Sequence, residues 1–474
     1  MALTKTHNRM IAGAPVNVKD FGAAGDGVTD DTAAIQGAIG TGDVSLYFPI
    51  GTYMVDGIDL TGVSNLTLMG ESKNLSILKL IDNSNDHVIA LSSSSTINIS
   101  TLKIDGNRAN QTGGHGIRFG GADGVTIDNV VIRGCYSYGI GMQAGTNSDI
   151  TISNFTILDT GQDGIDIKDY DLANDNIIIT NGVIKNYGNN VAGQVGVDCR
   201  GPVNISNLQI EASNTDTRGF RFRVESVQGR AGSGVANNIN VVCTGTNAYG
   251  FNTEGLTVKD LAISNINVRG GFLGVLGSQG VLYSNLVSDG ALATEALSYS
   301  GTNNIINGLK ISDCAGRGVD VEASATANNI SNFFITGVGG TEAIRIDATA
   351  TDCSFTDGHI QSGKLLSDYA TGTTIRNVKN WKTSGNYESV EIPVDSTGSK
   401  AFTISHDLDV TPNEEDISLT MVRATGLPTD YTIQYLHLEG TSSSNFGVRF
   451  RVNGASGTAG ATVKVVAQVR AKNS

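Results

Sequence analysis

Residues 152–157 read ISNFTI, and the same pattern of apolar, Ser/Thr/Asp, Asn, any two residues and apolar returns along the chain. It appears as ITNGVI at 179–184, ISNLQI at 205–210, ISNINV at 263–268 and ISNFFI at 330–335. Read by this pattern, the Asn falls at Asn129, Asn154, Asn181, Asn207, Asn240, Asn265, Asn285, Asn307, Asn332 and Asn377, with Asp357 filling the one gap. Successive members lie 20 to 33 residues apart. A period of that size, built of short strand-like stretches without helical ones, indicates a solenoid of β-coils. Asn tolerates the left-handed conformation, so one Asn per coil lets each coil make the same bend while stacked amides bond to one another.

A second column precedes each Asn. Gly116, Gly139, Gly164, Gly196, Gly219, Gly250 and Gly318 each introduce alternating apolar and polar residues, as in HGIRF, DGIDIKD and RGFRFR. Apolar members recur every second residue: Ile117 and Phe119, Ile165 and Ile167, Val197 and Cys199, Phe220 and Phe222. Strand periodicity is two, so these point inward and the residues between them outward. The expected fold is all-β: a parallel β-helix of about twelve coils over residues 45 to 385, with strands stacked about 4.8 Å apart.

The composition agrees. Of 474 residues 60 are Gly and only 6 Pro, with no triplet period, and 39% are hydrophobic, which excludes collagen and wholesale disorder. A net charge of -14 disfavours nucleic acid or an anionic membrane as partner. No apolar run approaches the roughly 20 residues of a membrane span. Residues 1–13 have no apolar centre, so no secretory signal is expected. Cys135, Cys199, Cys243, Cys314 and Cys353 are odd in number and unpaired in spacing, which predicts buried thiols rather than disulfides or zinc ligands. Neither a metal nor a cofactor is expected.

Asp30 or Asp31 is placed to cap a helix from Thr32 to Ile39 that covers the first open coil. Around it, DFGAAGDGVTDDTAAIQ at 20–36 resembles the opening signature of the pectate-lyase-like β-helix superfamily, shared by phage tailspikes, polygalacturonases and mannuronan epimerases. The lead-in MALTKTHNRMIAGAPVNVKDFG resembles the short segment before the β-helix of phage tailspikes. The resemblance implies a right-handed, single-stranded β-helix and a virion location on the phage tail, acting outside the host cell. It also implies a homotrimer, a tail or adaptor protein bound through the N-terminus, and a bacterial surface polysaccharide as substrate. The division expected is a virion-attachment segment at 1–15, the catalytic β-helix with its cap at 16–385, and an antiparallel β-sandwich at 386–474. The last is read from alternating strands such as AFTISHDL and FGVRFRVNG joined by Gly/Ser-rich turns. Tailspike domains in that place assist trimerisation or bind sugars.

Aligned on the Gly column, the outward positions concentrate charge between residues 160 and 255. Asp166 and Asp198 occupy one column on consecutive coils, about 5 Å apart, and Asp163 lies at the turn entering the same coil as Asp166. Like charges that close drive their pKa values apart, and two carboxyls of differing pKa are what glycoside hydrolysis needs. Asp163, Asp166 and Asp198 are therefore the catalytic candidates. Lys168, Arg200, Arg218, Arg221 and Arg223 form a cationic wall suited to an acidic sugar, with Glu254 beside it and Tyr138, Tyr170 and Tyr249 as ring platforms. Pairing of Arg with Asp across coils is the competing use of the same residues.

Motifs of the relatives divide the options. Polygalacturonases place a double Asp and a Gly-His-Gly after the first acid, whereas this chain has QVGVDC and Arg218 there, with GGHGI lying ahead of the acids. Mannuronan epimerases carry Tyr-Gly-Phe-Asp-Pro-His, and YGIGMQ at 138–143 lacks both the Asp and the His. The reading is an endo-glycosidase of a phage tailspike. The alternatives are a polysaccharide lyase using His115, Tyr138 or Lys168 as base, and a receptor-binding tail protein without catalysis.

Overall fold

The computed structural model describes residues 14–169, 173–224, 232–255, 258, 260–291, 294–361, 364–368, 370 and 372–379, and C-terminal of these the strand segments given below. Strands stack in parallel register into a solenoid of about 13 turns. One inward column runs Ile117, Ile140, Ile165, Val197, Phe220, Phe251 through successive pairings. All six side chains are fully buried, and the rings of Phe220 and Phe251 stack at 4.9 Å. Period-two alternation thus produces a continuous apolar column along the solenoid axis.

Strand pairing begins before residue 45. Val16–Asn17 pairs with Gly42–Phe48, and Asp26–Asp30 with Gly51–Val55, so the opening segment supplies its own strands. Helix Thr32–Ile39 buries Ile35, Ala38 and Ile39 against this end. The two candidate caps divide their work. Asp30 accepts from the Thr32 N–H at 2.9 Å, while buried Asp31 turns back to accept from the N–H groups of Ala24 and Gly25 at 2.6 and 3.0 Å.

The Asn corner is left-handed, with φ between 51° and 55° at Asn129, Asn154, Asn181, Asn207, Asn265, Asn285, Asn332, Asp357 and Asn377. Amides bridge rungs, from Asn207 to Asn181 at 3.1 Å and from Asn285 to Asn265 at 3.0 Å. Two positions differ from the sequence reading. Asn238, not Asn240, takes the left-handed corner and donates to Asn207 at 2.7 Å. At the other, Gly308 takes the corner opposite Asn285 while Asn307 sits one residue earlier. In both places more than one nearby residue suits the corner, Asn238 or Asn240 in the first and Asn307 or Gly308 in the second, and pairing of the flanking apolar residues selects one.

The Gly column answers to space rather than to backbone sign. A Cβ on Gly164 would lie 2.6 Å from the carbonyl oxygen of Gly196, and one on Gly196 would lie 2.5 Å from that of Gly219. The five cysteines are buried thiols that form no disulfide. The C-terminal part forms two antiparallel sheets, one of Gly385–Glu388, Ile392–Pro393, Ile417–Arg423 and Thr462–Val469, the other of Gly398–Ser405, Thr432–Thr441 and Asn445–Asn453. Residues 1–13, most of the proposed attachment segment, lie outside the described residues.

Gly196→Ala is expected to destabilise the solenoid by about 2–3 kcal/mol, because the methyl meets backbone and cannot be accommodated by a rotamer change. Thermal unfolding measures this; an unchanged melting temperature would refute the close-approach account.

Candidate active site

Strands Ile165–Ile167, Val195–Cys199 and Arg218–Arg223 are successive rungs, and their register sets Asp166 against Asp198 and Asp198 against Arg221. Asp163 enters from the turn before the first of them. The three carboxylates have oxygens all within 4.8 Å of one another.

Outward register does not make these acids solvent-exposed. Asp166 and Asp198 are 0% exposed and Asp163 5%. Long side chains from neighbouring rungs fold back over them. Asp198 accepts from Arg221 through two bonds of 2.9 Å and from Arg223 at 2.8 Å, and forms an ion pair with Arg200 at 2.9 Å. Asp166 accepts from Arg200 at 2.5 Å and from Gln143 at 2.9 Å, with the Lys168 ammonium at 3.7 Å. Asp163 accepts from the Val195 N–H at 2.6 Å. Arg200 therefore bridges two acids that would otherwise repel, and the cross-coil Arg–Asp pairing weighed above is present.

Burial raises the Asp163 carboxyl well above its ordinary value, and the neighbouring charges of Asp166 and Asp198 raise it further. Asp166 is also raised, by burial acting against the Arg200 guanidinium. Asp163 is thus the carboxyl most inclined to keep a proton, whereas Arg200, Gln143 and Lys168 draw Asp166 back toward the carboxylate, and Asp198 is gripped by three guanidiniums.

The remaining candidates fall into two groups. Tyr138, Lys168, Arg221 and Arg223 join the acids. Tyr138 stacks on His115 at 4.9 Å with Lys168 over its ring at 5.9 Å, and burial pushes its hydroxyl above the usual range. Arg218 turns away, donating to the Gly193 carbonyl at 3.1 Å and lying 5.2 Å from the Tyr249 ring centroid. Glu254 lies 3.6 Å from Arg221 and accepts from Asn252 at 3.0 Å. Tyr170 lies outside the described residues. Gln143 was not singled out by its sequence, although its position four after the column Gly, shared with Lys168, Arg200 and Arg223, was the available signal. His115, one of the bases considered for a lyase, is lowered to about 3 by burial and stacks on His87 at 4.6 Å.

Residues 15–221 match the family described as rhamnogalacturonase A/epimerase, pectate lyase-like. The match covers less than half of the chain. Over 172 residues, 31% of the chain, it is 37% identical to mannuronan C5-epimerase AlgE5 of Azotobacter vinelandii, covering 17% of that protein. Over 131 residues it is 37% identical to the preneck appendage protein of Bacillus phage PZA, covering 26% of this chain and 14% of that one. The chain thus spans a small part of the relatives it matches. In structure, bacteriophage phi29 gene product 12 superposes with a TM-score of 0.55 at 18% identity over 77% of this chain and 57% of that one, a likeness of fold. Parallel stacking accounts for the site's form: equivalent positions on adjacent rungs are forced together, and here they carry acids and their guanidinium partners.

Two outcomes follow. Asp198→Asn leaves three guanidiniums without their shared carboxylate, and a loss of about 3 kcal/mol in denaturant unfolding is expected. Asp163 binds its proton more tightly in the folded state, so its contribution is favourable below its ordinary value of 3.8 and is lost as pH rises through the raised value. The melting temperature of Asp163→Asn minus that of the wild type should therefore grow from about pH 4 to about pH 8; a constant difference contradicts the raised carboxyl.

Proposed function

We propose that this chain is the glycan-cleaving β-helix of a phage tail appendage, an endo-glycosidase acting on a bacterial surface polysaccharide. The observation that carries the reading is the carboxylate trio: oxygens within 4.8 Å, two carboxyls raised by burial, and guanidiniums on the adjoining rungs. Asp163, the one with some exposure, donates its proton to the leaving glycosidic oxygen as the bond from that oxygen to the anomeric carbon breaks. An Asp166 oxygen bonds to the anomeric carbon from the other side, and water then releases the sugar, returning a proton to Asp163. Gln143 and Lys168 cover Asp166 and are the groups that substrate displaces. Arg221 and Arg223, part-exposed at the rim, favour an acidic sugar nearby.

The likeness to a polysaccharide-modifying enzyme and to a phage appendage protein supports the class and the setting. The missing Asp and His of YGIGMQ speak against epimerisation. Homotrimeric assembly, attachment to the tail through the N-terminus and action at the host surface complete the proposal.

A second reading, a glycan-binding tail protein without cleavage, is favoured by the complete burial of Asp166 and Asp198 under their partners. Product analysis separates the readings. New reducing ends without an unsaturated uronide indicate hydrolysis; the ultraviolet absorbance of such a uronide indicates a lyase; retention of polymer without shortening leaves binding alone. For a hydrolase, Asp163→Asn and Asp166→Asn should each reduce the release of reducing ends by at least ~100-fold with the fold retained, and full activity in both variants rejects the assignment.

A further inference from the structure

Away from the carboxylates, one outward column is free of charge from end to end. It lies on the strand that enters the Asn corner and runs from Ser45 to Thr374, one residue per rung. Its middle rungs carry Ile178, Val235, Ala262, Leu282 and Ile305, interrupted once by Asn204, and every other member is Ser, Thr or Asn. Val235 is 40% exposed, Leu282 49% and Ile305 47%, and Ala262 is exposed with them. The companion column two residues on is Ser, Thr or Asn on every rung from Ser153 to Thr356, bounded by Asp128 and Arg376.

Past the corner the outward columns carry charge. Lys310 lies between Val287 and Phe334 in one of them, and Lys79, Asp105 and Arg133 follow one another in the next. In a chain of net charge -14, an uncharged exposed face is where copies can approach without like charges meeting. An apolar centre between hydroxyl and amide margins is also the composition of a protein interface, whose core is depleted of charge. The size is suitable. A rung measures roughly 16 Å between its left-handed corners at Gly280 and Asn285, and the paired columns extend roughly 38 Å from Thr151 to Ser354. The face is thus about 600 Å² in projection, close to the ~800 Å² per partner of a standard interface. A glycan is offered neither ring nor concavity there, since neither column holds an aromatic residue between Thr151 and Thr356.

We propose that this face is the contact between copies of the chain in a homotrimer, with Val235, Ala262, Leu282 and Ile305 of each copy packed about an axis parallel to the solenoid. The inference rests on the homotrimeric part of the reading above, and not on cleavage. A three-fold axis brings each residue to its own counterparts at the same height, so a residue beside it must tolerate itself. Aliphatic side chains do; a carboxylate or an ammonium, repelled by its copies and stripped of water, does not. Asp166 and Asp198 lie on a different strand of each coil, so this contact does not draw on them.

The test joins sedimentation equilibrium of the full chain carrying Leu282→Asp with cross-linking of Leu282→Cys by a short bis-maleimide, the wild type with its five buried thiols serving as the unlinked control. The wild type is expected to sediment as a trimer, and Leu282→Asp to need roughly tenfold more protein for the same degree of association. Leu282→Cys should give chains linked to one another, whereas Lys310→Cys, past the corner, should give none. Circular dichroism like that of the wild type shows that the variants fold. Dissociation of folded Leu282→Asp, or linkage through Leu282→Cys, upholds the face whether or not any polysaccharide is shortened. A trimer that persists in Leu282→Asp with no linkage through Leu282→Cys overturns the face and leaves the trimer standing, and a monomeric wild type overturns both.

Discussion

Every rung of this molecule is hydrogen-bonded to the next in parallel register, so each side chain lies about 4.8 Å from its counterparts above and below. Apolar residues gain from that constraint, as in the column from Ile117 to Phe251. Backbone must make room for it, which is why the column Gly residues face the next rung's carbonyl oxygen. Amides turn it into a ladder at the corner. Charges alone are placed in conflict by it, and the candidate site is where that conflict is resolved.

Asp166 and Asp198 cannot both stand ionised at that spacing without a cation between them. Arg200 supplies one by bonding to both, and Arg221 and Arg223 complete the shell around Asp198. The same arrangement both stabilises the rungs and prepares acid chemistry: burial withholds water, raising Asp163 and Asp166, while the guanidiniums make the patch receptive to negative charge. Ion pairing and raised carboxyls are two consequences of one geometry.

A related economy appears farther along the face. Asp320 and Arg345 repeat on adjacent rungs the pairing of Asp198 and Arg221.

The sequence by itself determined the class of fold, the inward columns, the Gly and Asn columns and the pairing of Asp166 with Asp198, because each follows from a period that neighbouring strands must share. It could not decide the phase at Asn238 and Gly308, where a second residue close by also suits the corner and only the partner strand chooses between them. Nor could it show that the opening segment contributes strands of its own. Above all, alternation says which side of a strand a residue faces, not what lies over it. Whether Asp166 and Asp198 meet water or guanidinium depends on how Arg200, Arg221 and Arg223 fold back across rungs, and those contacts between residues 23 to 34 positions apart are made by the tertiary structure alone.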